Sequence, residues 1–275
     1  MQKTKLVIAV LAALSAAPVL ATEATTPAHK DGVHVIPASA HTVTSNVSLV
    51  SNYLYRGISQ TGAKPAIQGG FDYAHSSGVY AGVWGSSISW LTDSPGVTGA
   101  TSAQVELDTY FGYKGTANVV SYDIGFLRYN YPASYTATLP AGSAKADTNE
   151  IYGAVTYSIA TLKYSHSLGD TFGIADAQGT SYIELNASYA LADMGVTLGA
   201  HYGKQTYKGT PAKNLKAAAS DPTYTDYKLS ATKDFSGYVV GLAYSDTNAN
   251  KVQYTSGTLK ELGKGTAVLS LSRSF

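Results

Sequence analysis

From about residue 42 to its end, the chain alternates apolar and polar residues in short stretches. Apolar side chains at every second position over some ten residues describe a strand with one greasy and one polar face. Twelve such segments are predicted: Thr42–Tyr55, Ala66–Ala74, Val79–Ser87, Ala103–Tyr113, Val119–Tyr131, Asn149–Ile159, Thr161–Leu168, Ser181–Leu191, Met194–Gly203, Tyr224–Lys233, Tyr238–Ser245 and Gly265–Phe275. The clearest puts Val105, Leu107, Thr109 and Phe111 on one parity and Glu106, Asp108 and Tyr110 on the other. In the last, Phe275, Leu271, Leu269 and Ala267 face Ser274, Ser272, Ser270 and Val268 across the strand, and only Arg273 breaks the apolar side. Two segments resist assignment. The facing of Val79–Ser87 is open. In Val119–Tyr131, Ile124 and Phe126 share parity with Arg128 and Asn130, which suggests a bulge or a packed interior.

The connectors between these segments alternate long and short. An even strand number, short turns at one end and long loops at the other is the pattern of a bacterial outer-membrane barrel. Tilted strands of about nine to eleven residues suit the bilayer. A final strand ending on an aromatic, with Leu269, Leu271 and Phe275 as its closure signal, would pair with the first and remove the sheet edge. The expected fold class is therefore all-β: a transmembrane antiparallel up-and-down β-barrel of about twelve strands, spanning residues 42–275, after a cleaved signal peptide.

Composition supports lipid contact. Charged residues make up 13% of the chain, about half the usual share. Of the 22 tyrosines, many fall near strand ends, where interfacial girdles form. Lys3 and Lys5 precede the apolar run Leu6–Leu14 and a Val-Leu-Ala sequence ending at Ala21, so residues 1–21 read as a signal peptide. That run is too short for a membrane helix. Removal of Lys3 and Lys5 leaves 17 of the 19 bases against 18 acids, which gives no basic surface for nucleic acid. Residues 22–41, with Pro27 and Pro37, read as a flexible periplasmic lead-in; the alternative is a plug entering the barrel. With no Cys, disulfide and thiolate chemistry are excluded.

One stretch is similar to a known family. Asn46-Val-Ser-Leu-Val-Ser-Asn-Tyr-Leu-Tyr-Arg-Gly-Ile-Ser-Gln60, followed by Lys64–Tyr73, Gly78–Ser86, Glu106-Leu-Asp108 and Tyr129-Asn-Tyr-Pro132, resembles the TorF-type porins, the Gcw_chp family of conserved bacterial proteins. Tyr-Arg-Gly-Ile-Ser-Gln is the most specific part. The resemblance implies an outer-membrane barrel classed as a porin by architecture, with no established substrate and no catalytic residues to carry over.

Parity points Asp72, Glu106, Asp108, Glu150, Lys163, Glu184, His201, Asp226 and Lys228 into the lumen, with Arg56 at the outer end of the first strand and Arg128 as a further candidate. Such groups would bias solute passage through their local fields; the alternative is a closed lumen crossed by ion pairs. Glu106 and Asp108, about 7 Å apart on one strand face, have a spacing seen in two-carboxylate hydrolysis, but a solvated pair is the simpler reading. Asp246-Thr-Asn-Ala-Asn250 opens like a calcium loop, yet Lys251 stands where Gly is required and Gly257 where Glu is, so it is no EF-hand. There is no G-x-S-x-G elbow and no H-E-x-x-H. The expected function is passive, porin-like passage of small hydrophilic solutes, with no enzyme activity and no cofactor. Expected partners are outer-membrane lipid, the barrel-assembly machinery and the solutes. The alternatives are a non-conducting barrel acting through its outer loops and a membrane-embedded hydrolase.

Overall fold

A computed structural model describes residues 39–94 and 98–275. The expected signal peptide and all but the end of the lead-in lie outside the described residues. The strands, in chain order, are β1 (His41–Val50), β2 (Leu54–Tyr55), β3 (Ile58–Ser59), β4 (Ala66–His75), β5 (Val79–Ser87), β6 (Ala100–Ser102), β7 (Val105–Ala117), β8 (Val120–Asn130), β9 (Ser134–Tyr135), β10 (Thr148–Tyr157), β11 (Ala160–Ser167), β12 (Ser181–Leu191), β13 (Val196–Thr206), β14 (Tyr224–Phe235), β15 (Tyr238–Thr247) and β16 (Thr266–Ser274).

Twelve of them close into one antiparallel barrel, in the order β1-β16-β15-β14-β13-β12-β11-β10-β8-β7-β5-β4. The closing pair sets Leu49 against Leu271 and Val47 against Arg273, so every barrel strand is paired on both edges. β2–β3 and β6–β9 are small ladders outside that wall.

The wall is apolar outside. Phe71, Leu229, Leu242 and Leu269 each expose more than half of their surface (64, 60, 59 and 58%). A continuous apolar belt of this kind is unstable in water, and a closed barrel is one of the two backbone forms that hydrocarbon tolerates. The protein is a membrane-spanning β-barrel of the outer-membrane type. Tyr157, Tyr189 and Tyr238 face outward near the short-turn end, and Tyr202, Tyr227 and Tyr244 toward the long-loop end, as two girdles. Arg273 lies over the rings of Tyr238 and Phe275 at that short-turn end, which lets its charge reach the interface.

Three expectations change. The first strand stops at Val50 rather than continuing to Tyr55. Residues 51–65 instead turn inward, and Leu54–Tyr55 pairs with Ile58–Ser59 as a hairpin of its own. β8 contains no bulge: its register to β7 and β10 is continuous. Arg128 therefore keeps the outward parity of Ile124, at the end of the strand, where it bonds Asn130, Asn149 and Asp147. It is a rim residue and not a pore-lining one, because at the loop end of β8 an outward cation has passed the apolar belt. Val79–Ser87 is also settled, with Tyr80 buried inside and Val79 half exposed outside.

Candidate functional site

The lumen is crossed by the β2–β3 hairpin. Its two-residue tip is Arg56-Gly57, both at positive φ, +48° and +78°. That geometry matches the right-handed twist of a tight hairpin and ordinarily favours Asn or Gly at its first central position. A Cβ on Gly57 would lie 2.5 Å from Thr247 Cγ2 and 2.7 Å from Asp226 Cβ. The tip thus packs against β14 and β15, three and two strands around the barrel from β1. Ser59 N–H donates to Leu262 C=O, and Ser89 and Trp90 N–H both donate to Gln60 C=O. The segment after β5 and the segment between β15 and β16 therefore hold the hairpin from above.

Arg56 ends in a built site. Its guanidinium donates to both oxygens of Glu150 at 2.8 and 3.1 Å and to Gln205 Oε1 at 2.7 Å. It lies 4.3 Å from the ring centre of Tyr182, 4.8 Å from Tyr55 and 5.8 Å from Phe172. The side chains of Arg56 and Glu150 are 6% and 1% exposed. Glu150 also accepts from Tyr129 and Ser167, so its carboxylate is saturated with donors. Both charges are out of water and depend on each other.

Glu106 accepts a bond of 2.7 Å from the Tyr53 hydroxyl. Burial, and then the Glu106 carboxylate, push the phenols of Tyr53 and Tyr131 well above their ordinary range, so both remain donors. The second Glu106 oxygen and Asp108 Oδ1 have no partner.

Beneath the hairpin is a cavity of about 70 Å³, open on one side, faced by Asp108, Lys163, Glu184, His201, Asp226 and Lys228. His201 Nε2 lies 2.9 Å from Asp226 Oδ2 and Nδ1 2.7 Å from Asn186 Oδ1. Tyr182 donates to Asp226 Oδ1 at 2.9 Å. Lys163 sits 4.4 Å over the Tyr152 ring. Toward the short-turn end, tyrosines reach into the lumen. Tyr110 donates to Asp72, and Tyr80 donates to Asp123 and meets Tyr152. Gly82 makes room for this layer, since a Cβ there would lie 2.5 Å from the Tyr110 ring.

The expected lumen residues Asp72, Glu106, Asp108, Glu150, Lys163, Glu184, His201, Asp226 and Lys228 thus lie on the inward parity, and Arg56 reaches the lumen from a loop. Sequence reasoning missed Tyr53, Asp123, Gln205 and Lys114, whose ammonium lies 3.7 Å from Asp123. Lys114 is legible only once β7 is extended to Ala117. The Asp246–Asn250 segment shapes backbone: Asn248 accepts from Thr225 N–H and Asn250 from Val252 N–H.

A family model described as "Bacterial protein of unknown function (Gcw_chp)" matches residues 34–275. The chain belongs to the Gcw_chp family. No curated protein matches it. Among solved structures, this Gcw_chp chain is similar to the KdgM porin in complex with disordered oligogalacturonate, with a TM-score of 0.47 and 5% identity over 85% of this chain and 98% of that one. It is similar to the NanC porin, with a TM-score of 0.49 and 7% identity over 85% and 99%. It is also similar to Pseudomonas aeruginosa OprD, with a TM-score of 0.37 and 13% identity over 86% and 66%. At these scores the likeness is general. The closure, register and inward residues of the Gcw_chp barrel carry its interpretation on their own.

Proposed function

We propose that this Gcw_chp barrel is a porin-like channel for small hydrophilic solutes, with the β2–β3 hairpin as its constriction. The observation that carries the reading is the lining of the space beneath the hairpin. A barrel meant only as a scaffold can fill its interior with apolar side chains. Here the walls carry carboxylates, ammonium groups, an imidazole and hydroxyls beside apolar side chains, and a cavity with such partners can hold several waters. A solute passing there would exchange its hydration for these groups, and the width left beside the hairpin would set the size cut-off. Swelling of proteoliposomes in isosmotic solutes of graded size tests this. Swelling that falls off with solute radius supports the channel; rates equal to protein-free vesicles for every solute would remove it.

A second reading, a non-conducting barrel that acts through its outer loops, has one specific observation in its favour. Those loops are bonded to one another: Ala144 N–H to Gly173 C=O, Asn250 Nδ2 to Ala219 C=O, and Gly257 N–H to Ser94 Oγ. Swelling of wild-type vesicles separates the two readings. An enzyme role has no comparable observation in its favour: the imidazole of His201, the one lumen histidine named above, is held between Asp226, Asn186 and the Tyr182 hydroxyl.

A further inference from the structure

We infer that the pocket holding Arg56 is a guanidinium-recognition site, occupied by the protein's own arginine as an internal ligand, and that a guanidinium-bearing solute displaces the hairpin from it. The inference deepens the channel reading by naming a solute class, and its binding arm does not depend on conduction.

Three observations carry it. The first is the completeness of the site. A planar cation is met edge-on by a two-oxygen carboxylate and by Gln205 Oε1, and it is flanked by aromatic rings. This fork-and-face arrangement matches guanidinium in a way that an ammonium point charge does not use. The second is who supplies it. Glu150 lies on β10, Tyr182 on β12, Gln205 on β13 and Phe172 between β11 and β12. Only Tyr55 belongs to the hairpin, so the site persists when the hairpin leaves. Glu150 would then be a buried carboxylate without a cation, which demands a replacement. The third is the backbone at Arg56. An arginine at φ +48° occupies the hairpin position that Asn or Gly fills more easily, so its side chain is retained at a conformational cost. Gln205 Nε2 is also buried without a partner, and a solute's carbonyl or carboxylate oxygen would satisfy it.

The chain contains two tryptophans, and both touch the segment that would move. Trp84 packs edge-on to Tyr53 at 5.6 Å, and the backbone N–H of Trp90 donates to Gln60 C=O. Intrinsic fluorescence therefore reports hairpin displacement directly. In detergent-folded wild type, millimolar methylguanidinium should red-shift tryptophan emission while equal tetramethylammonium does not. In Arg56→Ala, the same methylguanidinium should raise the thermal unfolding midpoint toward the wild-type value, with affinity falling at least about tenfold when Glu150→Gln is added. A wild-type emission response equal for both cations would overturn displacement. An Arg56→Ala midpoint indifferent to methylguanidinium, or a rise unaffected by Glu150→Gln, would overturn the site. Selective responses without conductance would leave the site and remove the channel; conductance without selective responses would do the reverse.

Discussion

Arg56 and Glu150 form the least exposed ion pair among the described residues; each is nearly out of water and each neutralises the other. Removing one partner of such a pair costs about 3–5 kcal/mol, mostly through the bare charge left behind. Arg56→Ala is expected to lose stability on that scale in equilibrium unfolding from lipid vesicles, and Arg56→Ala/Glu150→Gln to recover part of it. A single-variant loss below about 1 kcal/mol, the range of exposed pairs, would mean that the site is wet. Gly57 makes a complementary case. Its φ of +78° and the nearby Thr247 and Asp226 leave no room for a side chain. Gly57→Val should displace the tip while leaving the wall intact, read as protease sensitivity gained within residues 51–65 only. At this scale the sequence was partly legible. Once a strand is placed, period two fixes the side of Glu106, Asp108, Glu150, Lys163, Glu184, Asp226 and Lys228. The partners of Arg56 were not legible, since Glu150 and Gln205 are 94 and 149 residues away and no local pattern encodes such a meeting.

The strands divide cleanly by face. Leu269 points to lipid beside Leu242, and Ser270 points inward beside Gly241. Leu269→Arg is therefore expected to cost about 2–4 kcal/mol near the bilayer centre, measured by denaturant unfolding in vesicles; a neutral outcome would mean that this face does not meet hydrocarbon. Gly82→Ala should disturb the Tyr110–Asp72 layer and lower the unfolding midpoint, since the added methyl meets the Tyr110 ring at 2.5 Å; an unchanged midpoint would show the layer to be soft. The elements themselves were the most legible part of the chain, because lipid outside and polar groups inside impose alternation on each wall strand. The failures have specific causes. Leu49, Tyr53 and Tyr55 keep strand parity past Val50, yet the chain leaves the wall there because Leu54–Tyr55 finds a nearer partner in Ile58–Ser59. Arg-Gly is a weak version of the Asn-Gly hairpin signal, so the turn is visible only with the structure in hand. β8 looked irregular because Arg128 and Asn130, at its loop end, extend beyond the apolar belt while keeping outward parity.

As a whole, the molecule is a closed cylinder with an apolar exterior, a polar interior and a hairpin drawn across the interior by one cation. Residues 51–65 and the inward tyrosines occupy part of the lumen. In the proposed channel, hairpin and wall have separable roles: the wall would supply membrane stability, and the hairpin the constriction. The measurement that tests this most directly is single-channel recording in planar bilayers, comparing wild type with a variant in which residues 54–59 are replaced by a short Gly-Ser link. The expected result is small, discrete steps for the wild type and clearly larger steps for the shortened hairpin, with both barrels equally folded. Silent membranes for both would contradict the channel, and equal step sizes would contradict the hairpin as its constriction.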